Sequence, residues 1–204
     1  MITGAVLAGG TSSRFGREKA LADLGSRAMI FYVIAVLQQL ADEMVVSVAP
    51  GSRGRYANLL GDDILVVEDK RAEEGPIRGL VTALEASRGE YVLASPCDTP
   101  LLRKGVCEMI AAMGAGKDGA VPRIRGYLEP LHAIYRREPC LRAFLQIIEE
   151  GGRRPKDAFN LLDLAIVEEK ELRIVDPNLM SFANINSERA LASAIKRYGL
   201  NWQD

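Results

Sequence analysis

The sequence is poor in the residues that build most metal centres. It has one histidine, His132, and three cysteines, Cys97, Cys107 and Cys140. A single histidine excludes a zinc site built from several histidines, and it argues against a Ser-His-Asp triad. The cysteine spacings match no CxxC site, and an odd number of cysteines does not form a disulfide framework. We therefore expect a reducing, cytoplasmic setting.

An excess of either charge is also missing. The chain has 26 Lys and Arg against 27 Asp and Glu, a net charge of −1. That balance argues against a protein that coats nucleic acid or an anionic membrane. The apolar run at residues 2–7 is interrupted by Thr3 and Gly4, and it is too short to span a membrane. It also lacks the basic flank of a signal peptide. We expect no nucleic-acid partner and no membrane partner.

What is present is an alternation of strand-like and helical patterns. With 204 residues, of which 48% are hydrophobic, one soluble globular domain is expected. Near-continuous apolar strands separated by helices predict an α/β fold of three layers, α/β/α and Rossmann-like. Its sheet should be mostly parallel, with a small antiparallel portion in the C-terminal half. The predicted strands are 2–8, 43–49, 64–67, 91–95, 119–122, 131–135, 164–167 and 173–175. The predicted helices are 28–41, 76–87, 101–113, 138–150, 155–161 and 187–198.

The segment after the first predicted strand carries the strongest signal for ligand binding. It reads Leu7-Ala8-Gly9-Gly10-Thr11-Ser12-Ser13-Arg14-Phe15-Gly16-Arg17-Glu18-Lys19. Paired glycines let the backbone approach a ligand closely and turn N–H groups toward an anion. The cations Arg14 and Lys19 suit phosphate oxygens, and a helix beginning near Arg17 would add its dipole.

This segment matches neither of the common phosphate-binding motifs. A P-loop has four residues between its glycines and then Lys-Ser/Thr. Here five residues separate Gly10 from Gly16, and Arg17 follows. The GxGxxG pattern is absent as well. On the residues alone, a phosphate site and a solvated surface turn both stay open.

A second candidate lies just beyond the predicted strand 91–95. Asp98 follows Pro96 and Cys97 there, at the edge of a parallel sheet where ligands bind. A carboxylate at this place suits Mg²⁺, but the same residue can cap the helix that follows. Spacing alone does not separate these two interpretations.

Five segments, in order along the chain, resemble the molybdenum cofactor guanylyltransferase (MobA) family of the nucleotidyltransferase superfamily. Residues 7–20 match LAGG-x-S-x-R-F-G-x-x-K-A. The others are Asp69 with GPIRGL at 75–80, PCDTPL at 96–101, EPLHAIY at 129–135 and NINS at 184–187. The resemblance implies a fold of the nucleotide-diphospho-sugar transferase type. It also implies transfer of GMP from GTP to the terminal phosphate of Mo-molybdopterin, with release of pyrophosphate and with Mg²⁺ as cofactor.

Carried over position by position, the resemblance implies catalytic roles for Lys19, Arg14 and Asp98, and metal binding by Asp98. The positions implied to bind nucleotide, metal or acceptor are Leu7, Ala8, Gly9, Gly10, Lys19, Asp69, Gly75, Asp98, Asn184 and Asn186. Cys97 and His132 are interpreted as structural, because the implied chemistry needs no thiol and His132 lies in an apolar run.

The resemblance further implies one nucleotidyltransferase domain over residues 1–204. Residues 1–115 would bind GTP and Mg²⁺, and residues 116–204 would bind the acceptor. The expected partners are the two substrates and, transiently, proteins of molybdoenzyme maturation. The expected state is a monomer or a weak homo-oligomer.

Two departures from the family pattern leave room for alternatives. Residues 46–51 contain no Asn where the family has one near the base, and Glu129 stands where Gln or another polar residue is more usual. The alternatives are cytidylyl transfer to molybdopterin and guanylyl transfer to a corrinoid phosphate. A third, of another class, is a non-catalytic GTP-binding adaptor.

Overall fold

The computed structural model describes residues 1–9, 18–24, 27–69, 75–185, 190 and 193. The strands are β1 Ile2–Ala8, β2 Asp23–Leu24, β3 Arg27–Ala28, β4 Glu43–Val48, β5 Leu65–Glu68, β6 Tyr91–Pro96, β7 Gly119–Ile124, β8 Tyr127–Leu128, β9 Ala133–Arg136 and β10 Leu164–Glu168. The α-helices are α1 Met29–Leu37, α2 Arg53–Leu60, α3 Pro76–Ala86, α4 Lys104–Gly114, α5 Arg137–Glu149 and α6 Glu169–Val175. Short 3-10 helices cover Lys19–Leu21, Pro155–Leu161 and Met180–Phe182. Among these residues, no helix combines the length and the apolar character needed to cross a membrane.

Eight of the described strands form one sheet, in the order β10-β7-β9-β6-β1-β4-β5, with β8 paired to β7. Strands β5, β4, β1 and β6 run parallel to one another. Strand β9 lies antiparallel between β6 and β7, and β10 runs parallel to β7. The expected mostly parallel sheet, with an antiparallel portion in the C-terminal half, is confirmed.

Helices cover both faces of this sheet because successive strand residues face opposite sides. Val6 packs with residues of α1 and α4 in one core, whereas Ala5 packs with residues of α3 and α5 in a second core. Both residues are fully buried. Strands buried on both faces explain the near-continuous apolar runs of the sequence, and the three-layer α/β/α architecture is confirmed.

Two local predictions differ from the structure. The strand predicted over 173–175 is wrong, because these residues end helix α6. Glu168 and Glu171 form a capping box at the start of that helix, and Arg173 pairs with Glu169 one turn earlier. Helix α2 was not predicted, because Tyr56 is its one buried side chain and apolar periodicity is therefore weak. The helix predicted over 187–198 lies outside the described residues, except at 190 and 193.

The parallel strands set the position of the candidate site. Strands β1, β4, β5 and β6 point the same way, so their carboxyl ends lie at one edge of the sheet. The segments that follow these ends contain the glycines and carboxylates singled out in the sequence. We refer to this as the carboxyl edge, and to the opposite side, where these four strands begin, as the amino edge.

Candidate active site

The segments that follow β1 and β6 meet at the carboxyl edge. The Cys97 N–H donates a hydrogen bond to the Leu7 carbonyl at 3.1 Å, which extends the pairing of the two strands by one residue. The Ile185 N–H donates to the Asp98 carbonyl at 2.9 Å. This second bond fixes the segment containing Asn184 beside the loop after β6.

Lys19 and Asp98 form an ion pair at this edge. Lys19 Nζ lies 2.5 Å from Asp98 Oδ2, although the two residues are 79 positions apart in sequence. Their side chains are 12% and 19% exposed, so both charges are largely shielded from water. Because a charge in this environment is only partly solvated, it interacts strongly with an anion or a cation that enters.

The neighbours of Lys19 hold it in place. Ala20 is buried in the core, and the Glu18 carboxylate anchors the segment to α2. Ser52 Oγ donates to Glu18 Oε1 at 3.0 Å, and Arg55 Nη1 donates to the same oxygen at 2.7 Å. These contacts hold residues 18–20 in place, and the Lys19 ammonium is directed to Asp98.

Asp98 lies in a turn that is closed by other residues. Thr99 Oγ1 donates to the Pro96 carbonyl at 2.9 Å, and the Leu102 N–H donates to the Thr99 carbonyl at 3.1 Å. Helix α4 begins only at Lys104, and its N-cap residue is not Asp98. The interpretation of Asp98 as a helix cap is thus wrong, and its carboxylate is left for Lys19 and a ligand.

Asp69 follows β5 directly and is 5% exposed. Its carboxylate lies against the backbone after β1, because a Cβ on Gly9 would lie 2.3 Å from Asp69 Oδ2. Burial raises the pKa of Asp69 to about 6, although the Thr82 hydroxyl and the Arg78 guanidinium act in the opposite direction. Its Oδ1 has no hydrogen-bond partner among the described residues. Gly9 is therefore required for the carboxylate and the β1 loop to lie so close together.

Gly75 allows the chain to turn into helix α3. Its φ of 80° lies in the left-handed region, and a Cβ there would lie 2.9 Å from the Arg153 carbonyl oxygen. A side chain would be both strained and obstructed. The glycine thus lets the start of α3 contact the backbone of a basic segment, which continues through Arg154 to Lys156.

A cavity of about 310 Å³ opens beside Asp98. Its apolar wall consists of four prolines, two leucines and Phe182. Its polar groups belong to Asp98, Thr99, Glu129, Arg154, Lys156 and Asn184. Apolar walls with a few placed polar groups are typical of small-molecule sites. Of these residues, Arg154 and Lys156 were not chosen from the sequence, because neither lies in one of the five segments that resemble the family.

His132 lines the same cavity but behaves as a packed residue. It is 3% exposed, and its ring lies 4.7 Å from that of Phe182, centroid to centroid. Burial lowers its pKa to about 4, against the attraction of the Asp176 carboxylate. Cys97 is half-buried, and burial raises the pKa of its thiol to about 12. These observations support the structural interpretation of both residues.

The expected site residues fall into four groups. Leu7, Gly9, Lys19, Asp69 and Asp98 lie in or directly after β1, β5 and β6, or contact those segments. Asn184 lines the cavity from the C-terminal segment, and Gly75 directly precedes Pro76, which lines it from α3. Ala8 is the buried last residue of β1. Gly10, Arg14 and Asn186 lie outside the described residues.

The donor set at Asp98 suits a divalent cation. Carboxylate and phosphate oxygens are the ligands that Mg²⁺ prefers, and it usually takes one or two carboxylates with water and phosphate completing its shell. Within the described residues, no group of three or more His, Cys, Asp or Glu side chains forms a closed metal site. One partly buried carboxylate beside a cation is thus a place for a metal that arrives with a phosphate ligand.

Comparison with known proteins agrees with this geometry. Residues 4–161 match the MobA-like NTP transferase domain. The chain is 34% identical to a probable molybdenum cofactor guanylyltransferase of Haloferax mediterranei, over 93% of this chain and 92% of that protein. It is also 34% identical to a molybdenum cofactor guanylyltransferase of Desulfosudis oleivorans, over 95% and 94%. Among solved structures, molybdopterin-guanine dinucleotide biosynthesis protein A from Archaeoglobus fulgidus superposes with a TM-score of 0.80 at 24% identity, covering 97% of this chain and 98% of that one.

Proposed function

Since this chain belongs to the MobA-like NTP transferase family, we propose that it transfers GMP from GTP to the terminal phosphate of molybdopterin that carries molybdenum. The products are the guanine dinucleotide form of the cofactor and pyrophosphate. The observation that carries this proposal is the ion pair of Lys19 and Asp98 at the carboxyl edge, next to a cavity with apolar walls and cationic groups.

The residues divide the work between nucleotide and acceptor. The triphosphate meets backbone N–H groups of Leu7, Ala8, Gly9 and Gly10. Its oxygens are neutralised by Arg14 and Lys19. Asp69 and Gly75 border the nucleotide. Residues 1–115 thus bind GTP, and residues 116–204, with Asn184 and Asn186, bind the acceptor.

The nucleophile needs no general base from the protein. A phosphate oxygen of the acceptor is already ionised at neutral pH, so catalysis consists of alignment and of stabilising charge at the α-phosphorus. Lys19 leaves Asp98 and turns to the phosphates when nucleotide enters, because an incoming anion competes with the carboxylate for the same ammonium. Asp98 is then available to a cation.

The cation proposed at Asp98 is Mg²⁺. When bound, it polarises phosphate oxygens and stabilises the pyrophosphate leaving group. Asp98 is the residue that holds it, and Lys19 balances the local charge while the site is without nucleotide.

The three cysteines have no disulfide partners, which supports the proposed cytoplasmic setting.

The decisive experiment measures pyrophosphate release from each of the four nucleoside triphosphates. Each assay contains Mg²⁺ and is run with and without molybdopterin-type cofactor. Release that requires both GTP and cofactor is expected. Release with CTP would instead assign the chain to cytidylyl transfer. Release only with a corrinoid phosphate would identify that compound as the acceptor. Tight GTP binding without turnover under every condition would support a non-catalytic adaptor.

A further inference from the structure

Glu129 is a half-buried carboxylate with no hydrogen-bond or ion-pair partner among the described residues. Burial raises its pKa, and no neighbouring donor or cation offsets that effect. By contrast, the Glu43 carboxylate at the amino edge accepts four hydrogen bonds. A half-buried carboxylate without protein donors is only partly compensated by water, so its presence in a cavity points to a ligand that supplies donors.

The backbone around Glu129 is held rigidly. The Glu129 N–H donates to the Pro122 carbonyl at 2.9 Å, and its own carbonyl accepts from the His132 N–H at 3.1 Å. Pro130 follows, and its carbonyl accepts from the buried Tyr135 hydroxyl at 2.6 Å. The backbone at Glu129 is therefore fixed by the fold and needs little rearrangement when a ligand binds.

The cavity that Glu129 lines has the chemistry of a site for a flat heterocycle. Prolines and Phe182 form its apolar wall, and Asp98 lies in the same cavity as Glu129. Its volume of about 310 Å³ is at the lower end of ligand pockets and fits one fused ring system with a substituent. Arg154 and Lys156 supply cations for a phosphate on that substituent.

We propose that Glu129 is a specificity-determining residue whose carboxylate accepts the two adjacent N–H groups of a 2-amino-4-oxopyrimidine ring. This inference rests on the proposed function, in which the acceptor contains a pterin. The ring N–H and the exocyclic amino group of a pterin point the same way, and the two oxygens of a carboxylate match them as a bidentate pair. Asp98 then lies toward the phosphate of the same acceptor.

Guanine presents the same pair of N–H donors, so the base of GTP is a second ligand that fits the Glu129 carboxylate. The pterin is favoured because Glu129 follows β8 in the C-terminal half, in a cavity shared with Arg154 and Lys156. Gly9 and Asp69, where the nucleotide is proposed to bind, do not line this cavity. The two sources predict different kinetic effects for one substitution.

The test replaces Glu129 with glutamine, which keeps the shape of the side chain but offers one acceptor oxygen in place of two, so that one of the ring's two N–H groups loses its partner. Pyrophosphate release is measured with acceptor varied at saturating GTP, and with GTP varied at saturating acceptor. We expect KM for the acceptor to rise roughly 10- to 100-fold, with KM for GTP and kcat changed less than about twofold. Glu108→Gln on the exposed face of α4 is the matched control and should behave as the unmodified protein.

A second readout does not depend on turnover. Neopterin serves as a fluorescent probe, and its Kd is measured by titration with the unmodified protein and with Glu129→Gln. A Kd raised at least ~10-fold in the variant is expected. Thermal unfolding confirms that the variant is folded, which should hold because the substitution removes an unpartnered charge.

Each outcome has one meaning. An unchanged acceptor KM together with an unchanged neopterin Kd would overturn the proposal. A rise confined to KM for GTP would also overturn it, because Glu129 would then bind the guanine base. If the unmodified protein releases no pyrophosphate but binds neopterin through Glu129, the proposed function fails and the pterin site stands. If turnover is normal and Glu129→Gln matches the control, the site fails and the function stands.

Discussion

The carboxylates at the two edges of the sheet differ in their hydrogen-bond partners. At the amino edge, Glu43 accepts hydrogen bonds from the Thr3 hydroxyl, from the N–H groups of Arg88 and Gly89, and from Arg88 Nε. At the carboxyl edge, within the part of the chain that the structure describes, Asp69 keeps one buried oxygen without a partner and Glu129 has no donor. The pKa values follow: despite burial, hydrogen bonds lower that of Glu43 to about 2, while burial raises that of Asp69 to about 6.

This difference separates stability from function. Satisfied carboxylates at the amino edge stabilise the sheet, whereas those at the carboxyl edge are held at a cost in stability. A bound ligand can supply the missing donors and cations. Substitutions at the two edges should therefore change the activity and the free energy of unfolding in different proportions.

The largest expected effect is on activity, at the carboxyl edge. Asp98→Ala and Lys19→Ala should each lower kcat/KM at least ~100-fold, on the order of 2.7 kcal/mol of transition-state stabilisation. Steady-state pyrophosphate release measures this. Lys104→Ala and Glu108→Ala remove an exposed pair of the same charges, 2.7 Å apart on α4, and should leave kcat/KM unchanged. Near-normal rates in both site variants would refute the assignment.

The next effect is on stability, at the amino edge. Glu43→Gln should lower the free energy of unfolding at pH 7 by about 2 kcal/mol, because charge-assisted hydrogen bonds are lost, with little effect on kcat. Since the folded pKa is depressed from 4.5 to about 2, the unmodified protein loses this contribution as the pH falls from 4.5 toward 2. Urea titrations at pH 7 and pH 3 measure the difference.

The control for this variant is Glu90→Gln. Glu90 is 58% exposed and pairs with Arg136 at 3.3 Å, so its loss should cost less than about 0.5 kcal/mol. Equal destabilisation by both substitutions would mean that the hydrogen bonds of Glu43 are not the source of its contribution.

The smallest effect has the opposite sign. Asp69→Asn should raise the free energy of unfolding at pH 7 by about 1 kcal/mol, because it removes a buried charge, while it weakens GTP binding. The pKa of this acid is raised from 3.8 to about 6 in the folded state. The unmodified protein therefore loses stability as the pH rises from 3.8 to 6, and the advantage of the variant grows over that interval. Urea titrations across this range measure it.

The exposed Asp62→Asn serves as control, with no expected change in stability or GTP affinity. A destabilised Asp69→Asn protein, or an advantage that does not vary with pH, would contradict the account of Asp69 as a strained carboxylate.

The fold was largely predictable because its strands are buried on both faces. Runs such as residues 44–49 are mostly apolar and do not alternate with polar residues, which favours strands in a sheet covered on both sides. Helix α2 was missed because it contacts the core through little more than Tyr56. Residues 173–175 were misread because a capping box, and not their own β propensity, fixes their conformation.

The site was predictable in part. Lys19 and Asp98 came from the family resemblance, and their contact across 79 residues is a product of the fold that no local spacing contains. The burial of Asp69 was hidden by the acidic run around it, since it depends on Gly9 and α3 packing onto the same carboxylate. Glu129 was noted only as a departure from the family pattern. Its significance lies in missing partners, which a sequence does not show.

The antiparallel strand β9 also sets an order for biosynthesis. It lies between β6 and β7, so the edge of β6 stays open until Ala133–Arg136 have been made. An open edge is a template for pairing with other chains. Chains are made from the N-terminus, and domains fold as units. A released fragment that ends near residue 115 would therefore expose the edge of a central strand and would be prone to aggregate.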